Sequence, residues 1–208
     1  IVDDGDAIEY FDGFPVRCDN NPDGTVSFDV AHAFAWSCNV TFARLGGELG
    51  ADRYREYARR FGVDDDPPFP LPVARSTLSS DSELGLPELV SAAFGQGELM
   101  VTPLHMALIA AALAGDGSLP VPYLLADVPG VRWGRLSDDH GTWHRAVPAG
   151  TARAVREAMV VSATDGWAVT ATEAAALSLG GKTGTAEVPD GAPHAWFIGF
   201  APAEDPEV

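Results

Sequence analysis

A single β-hairpin near the end of an otherwise helix-patterned chain is the strongest constraint on how this sequence folds. "LSLGGKTGTAEV" and "HAWFIGFAP", separated by the turn "PDGAP", read as strand, turn and strand. Two strands are marginal in water unless something covers their apolar face. The cover comes from upstream, where "FDVAHAFAWS", "NVTFARLGGELG", "ADRYREYARRFG", "PLHMALIAAALAGDG", "PAGTARAVREAMVVSATDG" and "WAVTATEAAAL" carry apolar residues at helical spacing. The expected class is therefore α+β, a helical cluster packed on an antiparallel sheet.

Local signals refine this into four stretches. Residues 1–28 ("DDGD", "DNNPDG") are a loop-rich lead-in with short extended pieces. Residues 29–115 are the helical part, with Ser37-Cys38-Asn39 where one helix hands over to the next and Gly62 stopping a helix that puts Tyr54, Ala58 and Phe61 on one side. Within it, residues 63–85 carry four prolines among acidic residues and serines and read as a long loop, whereas Thr102 and Pro103 supply an N-cap and a first helical residue. Residues 116–177 are helices and connections, with a helix ending at Gly166, and residues 178–202 are the hairpin. There is no internal repeat.

Composition excludes several functions. Hydrophobic residues make up 46% of the 208, enough for a packed core. Thirteen basic residues against thirty acidic ones give a net charge of −17, which repels nucleic acid and anionic lipid alike. No apolar run approaches the ~18 residues of a membrane span. The acidic opening "IVDDGDAIEY" is no signal peptide and lacks methionine, so a processed or excised piece is expected. Two cysteines, Cys18 and Cys38, cannot form a four-cysteine zinc site; they are either two buried thiols or one bridge.

Lys182 in "GGKTGTAEV" is the only lysine. Gly-Lys-Thr suggests a phosphate loop, but that motif needs a glycine at position 176, which is Ala176, and a helix after Thr183, where a hairpin stands. On a strand, Lys182 and Gly184 share one face while Thr183 points to the other. Gly184 leaves the backbone bare, so an extended substrate could lie close beside the ammonium.

Together with Ser37-x-Asn39, "FGQGELMVTPLHMALIAAALA" and "HAWFIGFAP", this strand resembles the transpeptidase domain of penicillin-binding proteins, of the monofunctional class B type. The resemblance runs from about residue 29 to 202 and rests on four stretches in the family's order. It implies the penicillin-binding/β-lactamase-like transpeptidase fold, here incomplete at both ends. The activity it implies is D,D-transpeptidation, in which a serine takes the acyl group of a D-Ala-D-Ala stem peptide and passes it to a neighbouring amine.

By that resemblance, the catalytic residues are Ser37, relaying a proton to the leaving amine, Asn39, holding the substrate amide and Lys182, and Lys182 itself, setting the local field. Substrate-binding falls to Thr183 through its hydroxyl on the terminal carboxylate, to Gly184, and to Thr185 through a backbone N–H in the oxyanion hole. Read without the resemblance, Ser37 and Asn39 are cap or turn residues, and Trp196 is hairpin packing. The family's nucleophile lies in Ser-x-x-Lys; with one lysine already placed, this chain holds none. The expectation is a fragment, inert alone, although a degenerate member of the family also fits.

The family works outside the cytoplasmic membrane, which favours a Cys18–Cys38 bridge. The implied partners are stem peptides, β-lactams and other cell-wall synthesis proteins, with membrane attachment through an anchor outside this chain and no cofactor. Rival readings are a non-catalytic scaffold that binds stem peptides, and a β-lactam hydrolase or sensor. His140 and His144, four residues apart, read as surface histidines without a third metal ligand, and Asp64-Asp65-Asp66 as a solvated turn.

Overall fold

The computed structural model describes residues 8–18, 29–80, 83–124 and 141–206. Strands β1 (Ile8–Phe11) and β2 (Phe14–Arg17) form an antiparallel hairpin about Asp12 and Gly13. Helices α1 (Val30–Ala35), α2 (Asn39–Leu49) and α3 (Ala51–Arg60) follow, then α4 (Leu86–Ala93) and α5 (Pro103–Ala114). Strands β3 (Ser118–Pro120) and β4 (Thr142–Arg145) pair antiparallel. Helices α6 (Ala149–Asp165) and α7 (Val169–Ala175) lead to β5 (Gly180–Ala186) and β6 (His194–Phe200), antiparallel from Gly180 opposite Phe200 to Ala186 opposite His194. The mixture of helices and antiparallel strands is α+β.

Two differences from the sequence reading have physical causes. Helix α4, which sequence periodicity passed over, is only eight residues long, has Pro87 in its first turn and follows a proline-rich loop. Strands β3 and β4 fall in 116–177, where only helices and connections were expected. They are three and four residues long with a register shift between Leu119 and Pro120, too short for alternation to show. The loop at residues 63–80 contains only an isolated bridge between Thr77 and Met100.

The core explains how the site is held. Val16 and Cys18 pack with Ala33, Val40, Ala43 and Val90, so the N-terminal hairpin closes over α1, α2 and α4. Gly46 of α2 lies against Ala93, where a side chain would collide, letting α2 and α4 approach closely. Tyr54 of α3 donates to the Ala92 carbonyl at 2.8 Å, and its burial pushes the phenol up to about 12. The apolar helix α5 packs on both α6 and the β5–β6 hairpin, where Leu113, Ala114, Met159 and Phe200 form one cluster. The result fixes β5 beside the junction of α1 and α2.

Candidate active site

The α1–α2 junction is a strained turn. Trp36 caps α1, and Ser37 follows in the left-handed region at φ 59°. Its N–H donates to the Phe34 carbonyl at 3.2 Å, and the Cys38 N–H reaches back to the Ala33 carbonyl at 2.9 Å. These are the two bonds of a Schellman motif, which normally places glycine where Ser37 stands. A non-glycine residue there costs about 1–2 kcal/mol, a strain the neighbouring packing must hold. Buried Cys38 is joined by a disulfide to buried Cys18, with Cα atoms 4.8 Å apart. The bridge therefore anchors the residue between Ser37 and Asn39, the first residue of α2.

Lys182 approaches this turn from β5. Its ammonium donates to the Ser37 hydroxyl and to the Thr183 carbonyl, the latter at 2.8 Å, and lies 5.7 Å from the centre of the Phe34 ring. Burial lowers its pKa from 10.5 to about 8, because a desolvated ammonium is disfavoured. At neutral pH it remains mostly charged, yet close enough to its pKa to exchange a proton readily. The arrangement provides a cation, a hydroxyl bonded to it and an Asn side chain on the same cleft.

That cleft has a volume of about 720 Å³ and is walled by Phe34, Phe42, Phe94 and Trp167, with Ser37, Asn39, Lys182, Thr183, Gly184 and Thr185 also lining it. All six residues expected at the site thus meet at one surface. The sequence reading missed Trp167, whose indole N–H donates to the Trp36 carbonyl at 3.2 Å and whose ring meets Trp36 edge-on at 5.6 Å. It also missed Gln96, which bonds to the backbone beside Thr185. No local pattern announces either contact, since the partners lie 131 and 89 residues away.

The remaining candidates lie elsewhere. His144 pairs with Asp65 at 3.1 Å, whereas His140 is outside the described residues. Trp196 sits opposite Gly184 in the hairpin, with its Cβ against the glycine. Among the described residues no group of three or more His, Cys, Asp or Glu could hold a metal.

Comparison with known proteins agrees with this geometry. The family described as the penicillin binding protein transpeptidase domain matches residues 12–208. The chain belongs to that family. Relatives of this chain include the peptidoglycan D,D-transpeptidase PbpA of Mycolicibacterium smegmatis, 36% identical over 223 residues, covering 100% of this chain and 42% of the relative. PbpA of Mycobacterium tuberculosis is 37% identical over 216 residues, covering 97% and 40%. The chain thus spans less than half the length of these relatives.

Among solved structures, the D,D-transpeptidase domain of a peptidoglycan glycosyltransferase from Eggerthella lenta superposes with a TM-score of 0.83 at 31% identity, covering 99% of this chain and 52% of that one. The imipenem acyl-enzyme complex of penicillin-binding protein A from M. tuberculosis gives a TM-score of 0.78 at 32% identity, covering 99% and 47%. The fold is that of a penicillin-binding transpeptidase domain.

Proposed function

We propose that this chain forms the substrate-binding and proton-relay part of a peptidoglycan D,D-transpeptidase, acting on D-Ala-D-Ala stem peptides by serine acyl transfer. The observation that carries the reading is the hydrogen bond from Lys182 to Ser37, which joins two motif residues 145 positions apart at the wall of one cleft. The nucleophile belongs to a Ser-x-x-Lys segment, absent from a chain with a single lysine.

Each group has a defined task in that chemistry. The terminal carboxylate of the stem peptide docks on the Thr183 hydroxyl, drawn by the Lys182 charge. The nucleophilic serine oxygen bonds to the penultimate carbonyl carbon, and the Ser-x-x-Lys lysine takes its proton. The Thr185 N–H donates to the oxyanion as the carbonyl π bond opens. As the carbonyl re-forms, the C–N bond breaks; the departing D-alanine nitrogen takes the Ser37 hydroxyl proton, and Lys182 returns one to Ser37. Asn39 holds the substrate amide. A second stem's amine then bonds to the ester carbonyl carbon and passes a proton through Ser37 back to Lys182. The ester C–O bond breaks, and the serine oxygen takes its proton back from the Ser-x-x-Lys lysine. β-Lactams, which acylate the M. tuberculosis relative, would enter by the same first step.

The same reading places the protein at the extracytoplasmic face of the cytoplasmic membrane, among other cell-wall synthesis proteins. The Cys18–Cys38 bridge supports it, because disulfides persist in oxidising compartments.

Intact-protein mass after incubation with benzylpenicillin tests the proposal. The 208-residue chain should keep its mass of 21.9 kDa, while the same chain carrying a Ser-x-x-Lys segment should gain one penicilloyl group. An adduct on the chain alone, or none on the completed protein, overturns the assignment of roles.

A further inference from the structure

Helix α4 is capped by Phe94 and followed by Gly95-Gln96-Gly97, and the geometry there is specific. Gly95 (φ 84°) donates to the Ala92 carbonyl at 3.0 Å and the Gln96 N–H reaches the Ser91 carbonyl at 3.0 Å, a second Schellman turn. Gly97 is also left-handed at φ 76°, and a Cβ there would come 3.1 Å from the Ser91 hydroxyl. The two glycines therefore fix Gln96 at one position relative to α4 and turn the chain away on either side of it.

From that position the Gln96 carboxamide bonds twice to the backbone, once within β5 and once to the residue just after it. Its Nε2 donates to the Thr185 carbonyl at 2.8 Å, and its Oε1 accepts from the Glu187 N–H at 3.2 Å. A residue in a parallel strand makes the same pair, donating to the residue before its neighbour and accepting from the one after. One side chain thus imitates one residue of an added strand, on the edge of β5 that does not face β6. Thr183 uses this edge too, because its carbonyl accepts from Lys182. Along the cleft, the edge carries Lys182 at one end and the Gln96 clasp at the other.

We propose that Gln96 is the register stop for the extended substrate, a positioning residue that acts through the backbone of Thr185 and Glu187. The inference rests on the acyltransferase reading given above. A peptide adding to this edge can pair as far as Thr185, whose N–H lies on the same edge as its carbonyl, but no further, because the Glu187 N–H is already bonded. Without the stop, the ligand can slide by two residues, which preserves its side-chain alternation. That slip moves the scissile bond by roughly 7 Å along the strand, away from Ser37 and Lys182.

Backbone amide NMR tests this with three proteins: wild type, Gln96→Ala and Gln96→Glu. In wild type, titration with an N-acetylated L-Lys-D-Ala-D-Ala tripeptide should shift the Thr183 and Thr185 amides and leave Glu187 unmoved. In Gln96→Ala the Glu187 amide should exchange with solvent about tenfold faster, the loss of one hydrogen bond, and the tripeptide footprint should extend to Glu187. Gln96→Glu retains the acceptor, so it should restore Glu187 protection without restoring the bond to Thr185. The Lys182 and Gly184 amides, which face β6, are the internal control. If they lose protection together with Glu187, Gln96 merely holds the hairpin and the proposal fails. Unchanged Glu187 exchange in Gln96→Ala, or a footprint that still ends at Thr185, also overturns it. A tripeptide that moves no amide in wild type overturns the acyltransferase reading and the register role with it, whereas the exchange comparison reports on the clasp separately.

Discussion

The Lys182 ammonium donates to the Ser37 hydroxyl, so a partly buried cation on a strand is bonded to a strained residue at a helix junction. The two elements hold each other: β5 places the charge, and the Schellman turn places the oxygen. Because the Lys182 ammonium is desolvated, a small change in either partner should register in stability as well as in chemistry.

The depressed lysine fixes the sign of one pH effect. Its pKa is about 8 folded and 10.5 unfolded, so between these values the unfolded chain binds more protons. Stability must then rise as pH increases through that window, and below pH 8 the chain bears the cost of burying the charge. Wild type should therefore gain on Lys182→Met between pH 7 and 10, by at most about 3 kcal/mol. Paired urea melts at both pH values measure it. A difference that does not change with pH would mean that Lys182 is not desolvated.

Ser37 allows stability and activity to be separated. Ser37→Gly keeps the left-handed turn and removes its strain, a gain of up to about 1 kcal/mol that offsets the lost bond to Lys182, so the variant should melt close to wild type. It also removes the hydroxyl. In the protein completed by Ser-x-x-Lys, penicillin acylation should fall about 100-fold, the usual weight of a positioned acid–base group. Thermal melts and stopped-flow acylation give the two answers. Loss of both together would show that the hydroxyl holds the turn instead of serving the chemistry.

The disulfide spans a sequence separation of 20 residues, and closing such a loop stabilises a chain by about 3 kcal/mol. Cys18→Ala and Cys38→Ala should each lower stability by that order, and reducing agent should do the same to wild type but nothing further to the variants. Maleimide labelling without reductant should leave wild type unmodified. Two freely labelled thiols would place the protein in a reducing compartment and remove the anchor from Cys38.

Parts of this architecture were legible because local chemistry repeats locally. Thr102 accepts from the His105 N–H at 3.2 Å and Pro103 opens α5, as the Thr-Pro pair indicated. Gly166 caps α6, and the final two strands pair antiparallel as the strand–turn–strand reading expects. The meeting of Ser37, Asn39 and Lys182 could be anticipated only by resemblance, because nothing in their spacing encodes a contact across the fold. Ser37 carries no sign of its positive φ, since that position in a Schellman turn normally announces itself with glycine. Trp167 and Gln96 were invisible for the same reason as α4: their meaning lies in what packs against them.

Gly166 offers a test of how far the Ser37 turn depends on distant packing. A Cβ at Gly166 would lie 2.6 Å from the Ala35 carbonyl and 2.9 Å from that of Ser162, and the next residue, Trp167, donates its N–H to the same Ala35 carbonyl at 3.2 Å. The end of α6 is therefore seated directly on the last turn of α1, immediately before Ser37. Gly166→Ala cannot fit without separating the two, and overpacking of this kind costs roughly 1–3 kcal/mol. The displacement should reach Ser37 and weaken its bond to Lys182, so the Lys182 pKa should change along with the melting temperature. Lysine side-chain NMR across pH 6–10 reads the first and thermal melts the second. A drop in stability with an unmoved Lys182 titration would show that the two helices yield locally and that the Ser37 turn is held by the disulfide and α2 alone.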